Sequence, residues 1–267
     1  MNAERIVSLA PSNTEILFAL GLEDRIAGVT EFCNYPPGAR LKDKVGGFST
    51  VDIAKVVSLR PDLVLATDFH LESTVHDLRS NGLNVVVIKA KTLLDAPDCI
   101  SQIGKITGQE RKASELANDI ESRIAEISER TRHLSETEMP RVCYICGNDP
   151  PRIARGTCPP NKLISIAGGA NIGQYLSAKD LIDIDIIADR DPEVFITSYN
   201  HGETADLFLY VKNEPNLKNT SACRNNRVHR ISADLVCRPG PRAIIGLAGI
   251  ASFIHPDVFD AVDVNRQ

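Results

Sequence analysis

The feature that most constrains this chain is an internal repeat. Residues 52–66 are echoed 131 positions later by residues 183–197, and each copy joins an apolar helix pattern to a short apolar strand pattern. The segments at 5–9 and 141–145, which precede the two copies, are also alike. A repeat of this length indicates two similar α/β lobes. Two such lobes imply a cleft between them, and clefts at domain interfaces are common binding sites for small molecules.

The predicted fold class is α/β, with two Rossmann-like lobes built on parallel sheets and joined by one long backbone helix. Strands that alternate with helices favour parallel pairing through crossover connections. The lobes are expected at residues 1–107 and 137–267, with the linking helix at 108–136. Residues 109–134 are highly charged and carry apolar side chains at helical spacing, which predicts a rigid helix of about 26 residues. The apolar positions are Leu116, Ile120, Ile124 and Ile127.

Apolar patterns and turn residues predict the individual elements. In the first lobe, strands are expected at 5–9, 25–29, 62–66 and 84–88, and helices at 12–20, 51–59 and 71–80. In the second lobe, strands are expected at 141–146, 193–197 and 227–231, and helices at 160–167, 178–188, 203–212 and 241–254.

The composition argues against several classes of protein. Hydrophobic residues make up 43% of the chain and charged residues 24%, as in soluble globular proteins. A net charge of −5 argues against a nucleic-acid binder, which needs a basic face. No run of residues reaches transmembrane length. The strand pattern at 5–9 begins too soon after Met1 for a signal peptide, so we expect a cytosolic protein or one whose export segment is absent from this sequence.

The seven cysteines cannot all pair, which excludes a pure disulfide scaffold and fits a reducing compartment. Cys143 and Cys146 have the spacing of a redox or metal pair. In a strand they would point to opposite faces, so we interpret them as buried apolar residues. Cys33, Cys146, Cys158 and Cys237 lie at or just beyond predicted strand ends. If they converged, four thiolates would hold a metal or an iron–sulfur centre, which leaves open a metallocluster protein or enzyme.

Familiar catalytic motifs are missing from the sequence. It has no HExxH pair, no P-loop, no dinucleotide-binding fingerprint and no Gly-x-Ser-x-Gly elbow. The acidic residues of 183–191 are interpreted as the solvated face of a helix rather than as catalytic acids. His70 follows the predicted strand 62–66 and would lie near the cleft edge, either as a solvated loop residue or as an axial ligand to a bound metal. We therefore expect no catalytic residue.

Aromatic residues are scarce, at 5% with no Trp, but several of them follow predicted strand ends. They include Phe32, Tyr35, Phe48 and Tyr199. Aromatic side chains at strand exits suit a flat, partly apolar ligand. The segment 234–242 adds the acid Asp234 and two guanidinium groups, one of them Arg238, before a predicted helix. This combination suits amides, carboxylates or phosphates, although it is also typical of local capping of the last helix.

Several motifs together resemble those of a known family. They lie at residues 5–15 (RIVSLAPSNTE), 31–37 (EFCNYPP), 45–49 (VGGFS), 60–66 (RPDLVLA) and 238–242 (RPGPR). Along essentially its whole length, the chain is similar to the cobalamin-binding (corrinoid) substrate-binding proteins of ABC importers. These belong to the class of periplasmic binding proteins with a helical backbone, class III, which also includes siderophore, haem and metal receptors.

The resemblance implies a protein that is not an enzyme and that holds its ligand between two lobes with little hinge closure. It implies that Phe32 and Phe48 flank a corrin ring and that Asp234 and Arg238 touch its amide fringe. Arg152 stands where the family has another aromatic residue, so the pocket is expected to be more polar. The expected ligand is a corrinoid (cobalamin-like), with no covalent cofactor. A ferric siderophore, haem or another metal chelate is the alternative.

The resemblance also implies a membrane partner. Receptors of this family present one Glu per lobe to Arg residues of the permease, and the matching positions here are Ala54, with Asp52 nearby, and Asp185. An ABC permease partner, a monomeric receptor and an extracytoplasmic location, periplasmic or membrane-anchored, are expected on this basis. The alternative is a cytoplasmic corrinoid or metallocluster-binding protein that uses cleft cysteines.

Overall fold

The structure is a computed structural model that describes residues 3–90, 92–148, 151–176, 183–199 and 206–264. The chain divides into two compact units. The first unit comprises the residues up to Glu121 together with Arg238–Pro241, and the second comprises Ser122–Cys237 and the residues from Arg242 on. The sequence pattern does not predict that Arg238–Pro241 belongs to the first unit.

The first unit is built on a parallel sheet. Its described strands are β1 (Ile6–Ser8), β2 (Ile26–Val29), β3 (Asp43–Lys44), β4 (Leu63–Thr67) and β5 (Val85–Ile88). They lie in the order β3-β2-β1-β4-β5, and every pairing is parallel, as the alternation of strands and helices predicted. The central strand β1 places Ile6 opposite Ile26 on one side and Leu63 on the other. β1, β2, β4 and β5 are mostly apolar because parallel strands inside a sheet are covered on both faces, whereas the edge strand β3 is two charged residues.

Helices follow the strands of the first unit. They are α1 (Pro11–Ala19), α2 (Ile53–Ser58), α3 (Glu72–Ser80) and α4 (Ala96–Thr107). Pro11 opens α1, where its fixed φ suits the first turn and its missing N–H is not needed. Asp52 caps α2 by accepting a hydrogen bond from the backbone N of Lys55 at 2.9 Å. Gly108 ends α4 with φ of 72°, the left-handed conformation that Gly adopts most easily.

The long helix predicted for residues 109–134 is confirmed as α5 (Glu110–Thr131), a single helix of 22 residues. Its buried side chains recur at helical spacing and include Ala113, Ala117, Ile120 and Ile127. Among the described residues, no helix is both long enough and apolar enough to cross a membrane.

The second unit carries a mixed sheet. Its described strands are β6 (Arg141–Asn148), β7 (Pro151–Ile153), β8 (Ala170–Asn171), β9 (Val194–Tyr199) and β10 (Val228–Ser232). The order is β10-β9-β6-β7, and β8 also pairs with β6. β8, β9 and β10 pair in parallel with their neighbours, but β7 runs antiparallel to β6. The predicted parallel pairing is confirmed for β6, β8, β9 and β10, and the antiparallel β7 was not predicted, because three residues beginning at Pro151 leave no strand pattern in the sequence.

The helices of the second unit match the predicted ones in part. The described helices after α5 are α6 (Pro159–Ile166), α7 (Ile184–Asp189), α8 (Leu207–Asn213), α9 (Ser221–Arg224), α10 (Ala233–Cys237) and α11 (Ala243–Ile254). The predicted helices at 178–188 and 203–212 overlap α7 and α8, and their parts at 178–182 and 203–205 lie outside the described residues. α9 and α10 are too short to be seen as a periodic pattern. Asp234 lies within α10, whereas the sequence predicted a loop before the last helix at this position.

Candidate functional site

The carboxyl ends of the first unit's strands bring several predicted residues to one edge of the sheet. Phe32 and Tyr35 follow β2, Phe48 follows β3, and His70 follows β4. Together with Arg238 they are called the first edge below. Open α/β sheets bind their ligands outside the carboxyl ends of the strands. The first edge is therefore the candidate binding surface of this unit.

Phe32 is the most exposed predicted aromatic of the first edge, with 57% of its surface accessible. Gly47 lies beside it, because a Cβ atom at Gly47 would be 3.6 Å from the Phe32 ring, an ordinary contact distance. Phe48 is half-buried and packs on His70, with ring centroids 4.5 Å apart. The first edge therefore has one accessible aromatic ring, that of Phe32, and one ring held by packing on His70, that of Phe48.

His70 is buried and closes the turn after β4. The backbone N–H of Thr67 can only donate, and it lies 3.1 Å from Nδ1 of His70. The carbonyl oxygen of Thr67 lies 3.2 Å from the same nitrogen, so Nδ1 is paired with Thr67 whichever ring nitrogen carries the proton. Burial lowers the pKa of His70, which keeps the ring neutral near pH 7. This geometry favours a structural role, in which the ring supports Phe48, over ligation of a metal.

Arg238 reaches the first edge from the far end of the chain. Its Nη1 donates to Oδ1 of Asn34 at 2.8 Å, and its Nη2 donates to the backbone oxygen of Phe32 at 3.4 Å. Nη1 also lies 3.6 Å from Oε1 of Glu15, in an ion pair whose side chains are 16% and 2% exposed. The ion pair joins Arg238 to α1, a contact that the sequence pattern does not predict. Sequence reasoning missed Glu15 and Asn34.

Tyr35 and Cys33 lie in the same loop as Phe32 but are less accessible. Tyr35 is half-buried, whereas Cys33 is 1% exposed. The Cys33 sulfur lies 3.1 Å from the hydroxyl of Thr14 and 3.2 Å from that of Thr30. Burial raises the pKa of the Cys33 thiol despite these hydrogen bonds. Cys33 is therefore part of a buried polar network beneath the loop.

Three predicted residues of the second unit are called the second edge: Tyr199 and Asp234 lie at the carboxyl ends of β9 and β10, and Arg152 lies on β7, opposite Gly147 near the carboxyl end of β6. Tyr199 is the last residue of β9, and Asp234 lies just after β10 with 3% exposure. Burial is the main cause that raises the pKa of Tyr199, and the negative charge of Asp234 adds to it. Arg152 is exposed on β7, lies against Gly147, and donates from Nη2 to the carbonyl of Cys146 at 3.4 Å.

A pocket that sequence reasoning missed opens beside Tyr199. It has a volume of about 200 Å³, and its lining includes Asp206, Phe208 and Arg230. Arg230 forms an ion pair with Asp206 and lies over the Phe208 ring, 4.9 Å from its centroid. The hydrogen bond from Arg230 lowers the pKa of Asp206. The pocket is thus polar, with its charges already compensated.

The cysteines do not form the predicted thiolate cluster. Among the described residues, which include all the candidate cysteines, no three His, Cys, Asp or Glu side chains are grouped so that they could hold a metal ion. Cys146 donates to the carbonyl of Arg152 at 3.5 Å, Cys158 precedes α6, and Cys237 ends α10. The sequence left open a convergence of Cys33, Cys146, Cys158 and Cys237, and nothing among the described residues supports it, because following a strand end does not by itself bring side chains together.

The two acids predicted for docking are both exposed. Asp52 caps α2, and Asp185 lies in the first turn of α7, where its Oδ1 accepts a hydrogen bond from Nδ2 of Asn216 at 2.7 Å. Both side chains are therefore held in place while remaining accessible to another protein.

A family model described as periplasmic binding protein matches residues 6–235. The chain therefore belongs to the periplasmic binding protein family, whose members serve ABC transporters. It is 31% identical over 261 residues to the uncharacterized ABC transporter substrate-binding lipoprotein YvrC of Bacillus subtilis, an alignment that covers 96% of this chain and 81% of the relative.

Two solved structures have the same fold. The periplasmic vitamin B12 binding protein BtuF of Vibrio cholerae aligns with a TM-score of 0.77 at 26% identity, covering 95% of this chain and 97% of that one. The periplasmic heme-binding protein RhuT of Roseiflexus sp. RS-1 aligns with a TM-score of 0.83 at 23% identity, covering 96% and 100%. These alignments confirm the predicted class III fold. Because the two proteins are named for different ligands, the fold alone does not select one.

Proposed function

We propose that this protein binds a corrinoid and delivers it to the permease of an ABC importer without transforming it. Membership of the periplasmic binding protein family supports the binding role. The similarity to a vitamin B12 binding protein supports the ligand, and the similarity to a substrate-binding lipoprotein supports action outside the cytoplasmic membrane. A monomeric receptor is part of the proposal.

The observation that carries the ligand proposal is the pairing of Phe32 with Arg238 at the first edge. Phe32 has an accessible aromatic ring, and its backbone carbonyl accepts a hydrogen bond from the guanidinium group of Arg238, which also donates to Asn34. A corrinoid presents a flat ring surrounded by amide groups. The ring suits the aromatic face, and the amide oxygens suit the N–H donors of Arg238.

The second edge offers complementary chemistry in this proposal. Tyr199 and Asp234 bring a phenol and a buried carboxylate to the ends of adjacent strands, and Arg152 adds exposed donors. Amide groups carry both donors and acceptors, so a corrinoid fringe would engage both kinds of group. Tyr35 and Phe48 complete the proposed contact set at the first edge.

Titration of the purified protein with cyanocobalamin, aquocobalamin and hemin tests the proposal. We expect saturable one-to-one binding of the cobalamins. Phe32→Ala should weaken it about tenfold or more, because burying a Phe side chain contributes roughly 1.5–3 kcal/mol. Leu41→Ala is the matched control, since it removes an apolar side chain of 88% exposure that precedes β3 instead of following a strand.

Two outcomes would contradict the proposal. If neither cobalamin binds at millimolar concentration, the corrinoid assignment is wrong, and binding of hemin alone would replace it with haem. If the protein purified without oxygen is coloured and contains iron, the metallocluster alternative is favoured instead.

A further inference from the structure

Glu15 is an unusual residue for its place in the fold. It lies on α1 between Thr14 and Ile16, which are fully buried, and its own side chain is 2% exposed. Removing a carboxylate from water is costly unless a positive charge and hydrogen-bond donors compensate it. Arg238 supplies the positive charge, with its Nη1 3.6 Å from Oε1 of Glu15.

The same ion pair fixes the position of Arg238. Its guanidinium is held by Glu15, by Oδ1 of Asn34 and by the carbonyl of Phe32. Planar guanidinium groups bind acceptors in defined directions, so the two hydrogen bonds restrict its orientation, and the ion pair with Glu15 adds an attraction that does not depend on direction. Glu15 and Asn34 are therefore positioning residues for Arg238.

The ion pair also sets the charge of the first edge. A carboxylate brought to Arg238 would lie close to the buried carboxylate of Glu15 as well, and like charges in a poorly solvated site repel. A neutral amide oxygen accepts the same hydrogen bond without this repulsion. Among the other charged groups nearby, Glu31 and Arg40 are exposed, so water and salt screen them. Lys44 is half-buried and Arg242, four residues after Arg238, is buried, so these two are screened less.

We propose that Glu15 neutralises Arg238 and thereby makes the first edge select neutral, amide-bearing corrinoids over tetrapyrroles that carry carboxylates. The inference rests on the proposed function and adds the chemical class of ligand to it. Phe32 supplies apolar contact to either kind of ring, so the discrimination comes from the Glu15–Arg238 pair.

The test compares cyanocobalamin with its monocarboxylates, in which one propionamide side chain is hydrolysed to a carboxylate. Wild-type protein should bind cyanocobalamin about tenfold more tightly than the isomer whose carboxylate reaches Arg238. Glu15→Gln keeps the size of the side chain and removes its charge, so this ratio should fall to about one or invert. Glu31→Gln is the matched control. It removes an exposed carboxylate from the loop that carries Phe32, and it should leave the ratio of the two affinities unchanged.

Circular dichroism and thermal unfolding show whether Glu15→Gln is folded. If it is not, the salt dependence of wild-type binding decides the matter. Raising NaCl from 50 to 500 mM shortens the screening length from about 14 to about 4 Å. Because Arg238 is neutralised, the affinity for the monocarboxylate should not fall over this range. A fall of about fivefold or more would reveal an uncompensated positive charge and overturn the inference.

The outcomes separate the inference from the proposed function. If wild-type protein binds cyanocobalamin but folded Glu15→Gln keeps the wild-type ratio, the inference is wrong and the proposed function stands. If wild-type protein binds amide and carboxylate forms equally, the same conclusion follows. If it binds hemin, with its two carboxylates, in preference to every corrinoid, or binds no tetrapyrrole at all, both are wrong.

Discussion

His229, in the middle of β10, is half-buried and stacks on Phe253, with ring centroids 4.4 Å apart and an angle of 9° between the rings. Burial, with a smaller contribution from the positive charge of Arg227, lowers its pKa from 6.5 to about 4. The folded protein therefore keeps this ring neutral at pH 7 and resists its protonation in mild acid.

The lowered pKa of His229 predicts a loss of stability in acid. Between about pH 6.5 and 4 the unfolded chain binds a proton that the folded chain does not, so the free energy of unfolding falls as the pH falls. Allowing for partial exposure, we expect a loss of about 1–2 kcal/mol. His229→Gln should lose less than wild type between pH 7 and 4.5 in urea unfolding, whereas His76→Gln, at an exposed site, should follow wild type. Equal losses in all three proteins would contradict this prediction.

The cysteine thiols should fall into two classes of reactivity, because only the thiolate reacts with iodoacetamide. Burial raises the pKa of Cys33 and Cys143, and burial together with nearby aspartates raises that of Cys99 to about 12. The remaining cysteines, Cys146, Cys158, Cys223 and Cys237, are partly exposed. At pH 8 the native protein should be alkylated at these and not at the buried three. Peptide mapping by mass spectrometry checks this, and rapid labelling of Cys99 would show that its burial is incomplete.

At the scale of elements, the connection from helix to strand is what the two units share most closely. α2 and α7 have six residues each, and Arg60 and Asp191, which follow them, adopt the left-handed conformation with φ of 47° and 41°. At the start of each unit's first strand, an arginine donates from Nε to the carbonyl that ends this helix. Arg5 donates to Leu59 after α2, and Arg141 donates to Arg190 after α7. The repeat in sequence therefore preserves a local structure, including a backbone conformation that non-glycine residues rarely adopt.

The two left-handed residues should respond differently to glycine. Arg60→Gly removes the steric cost of the conformation, so we expect a change in the free energy of unfolding within about 1 kcal/mol of zero. Asp191→Gly also removes hydrogen bonds, because its carboxylate accepts from the backbone N of Ser221 at 2.6 Å and from its hydroxyl at 2.8 Å. We expect it to be destabilised by about 1–2 kcal/mol. Urea unfolding of both variants checks the difference, and equal effects would show that the hydrogen bonds contribute little.

The repeat made most of the fold predictable from sequence. The strand expected at 62–66 is β4 (Leu63–Thr67), and the one expected at 193–197 is β9 (Val194–Tyr199), because each is a local apolar run between turn residues. The antiparallel strand β7 was not predictable, since pairing with β6, and not a pattern of its own, holds it in place. α10 was missed because a helix of five residues is shorter than two turns.

The candidate site was predictable only where residues stand out locally. Phe32 could be singled out because aromatic residues are scarce in this chain and it follows a predicted strand end. The pair of Glu15 and Arg238 could not, since it joins residues near opposite ends of the chain and leaves no spacing to recognise. The same holds for the pocket at Arg230, which depends on a contact with Asp206 on another element.

At the scale of the whole molecule, transport requires recognition by a permease as well as by a ligand. Asp52 and Asp185 offer one exposed carboxylate on each of the two equivalent helices α2 and α7. Exposed charges of this kind govern the rate and specificity of protein association more than the stability of the chain that carries them. Ligand binding and delivery should therefore be separable by mutation.

The double variant Asp52→Asn, Asp185→Asn tests this separation. Asn replaces Asp as a helix cap almost without cost, so α2 should remain intact while both charges are lost. We expect the affinity for cyanocobalamin to stay within about twofold of wild type, and the affinity for the permease reconstituted in vesicles to fall about tenfold, as for the loss of two interfacial ion pairs. Asp77→Asn, which removes an exposed carboxylate from α3, should change neither. Ligand-stimulated ATP hydrolysis measures the second affinity, and wild-type stimulation by the double variant would show that docking uses another surface.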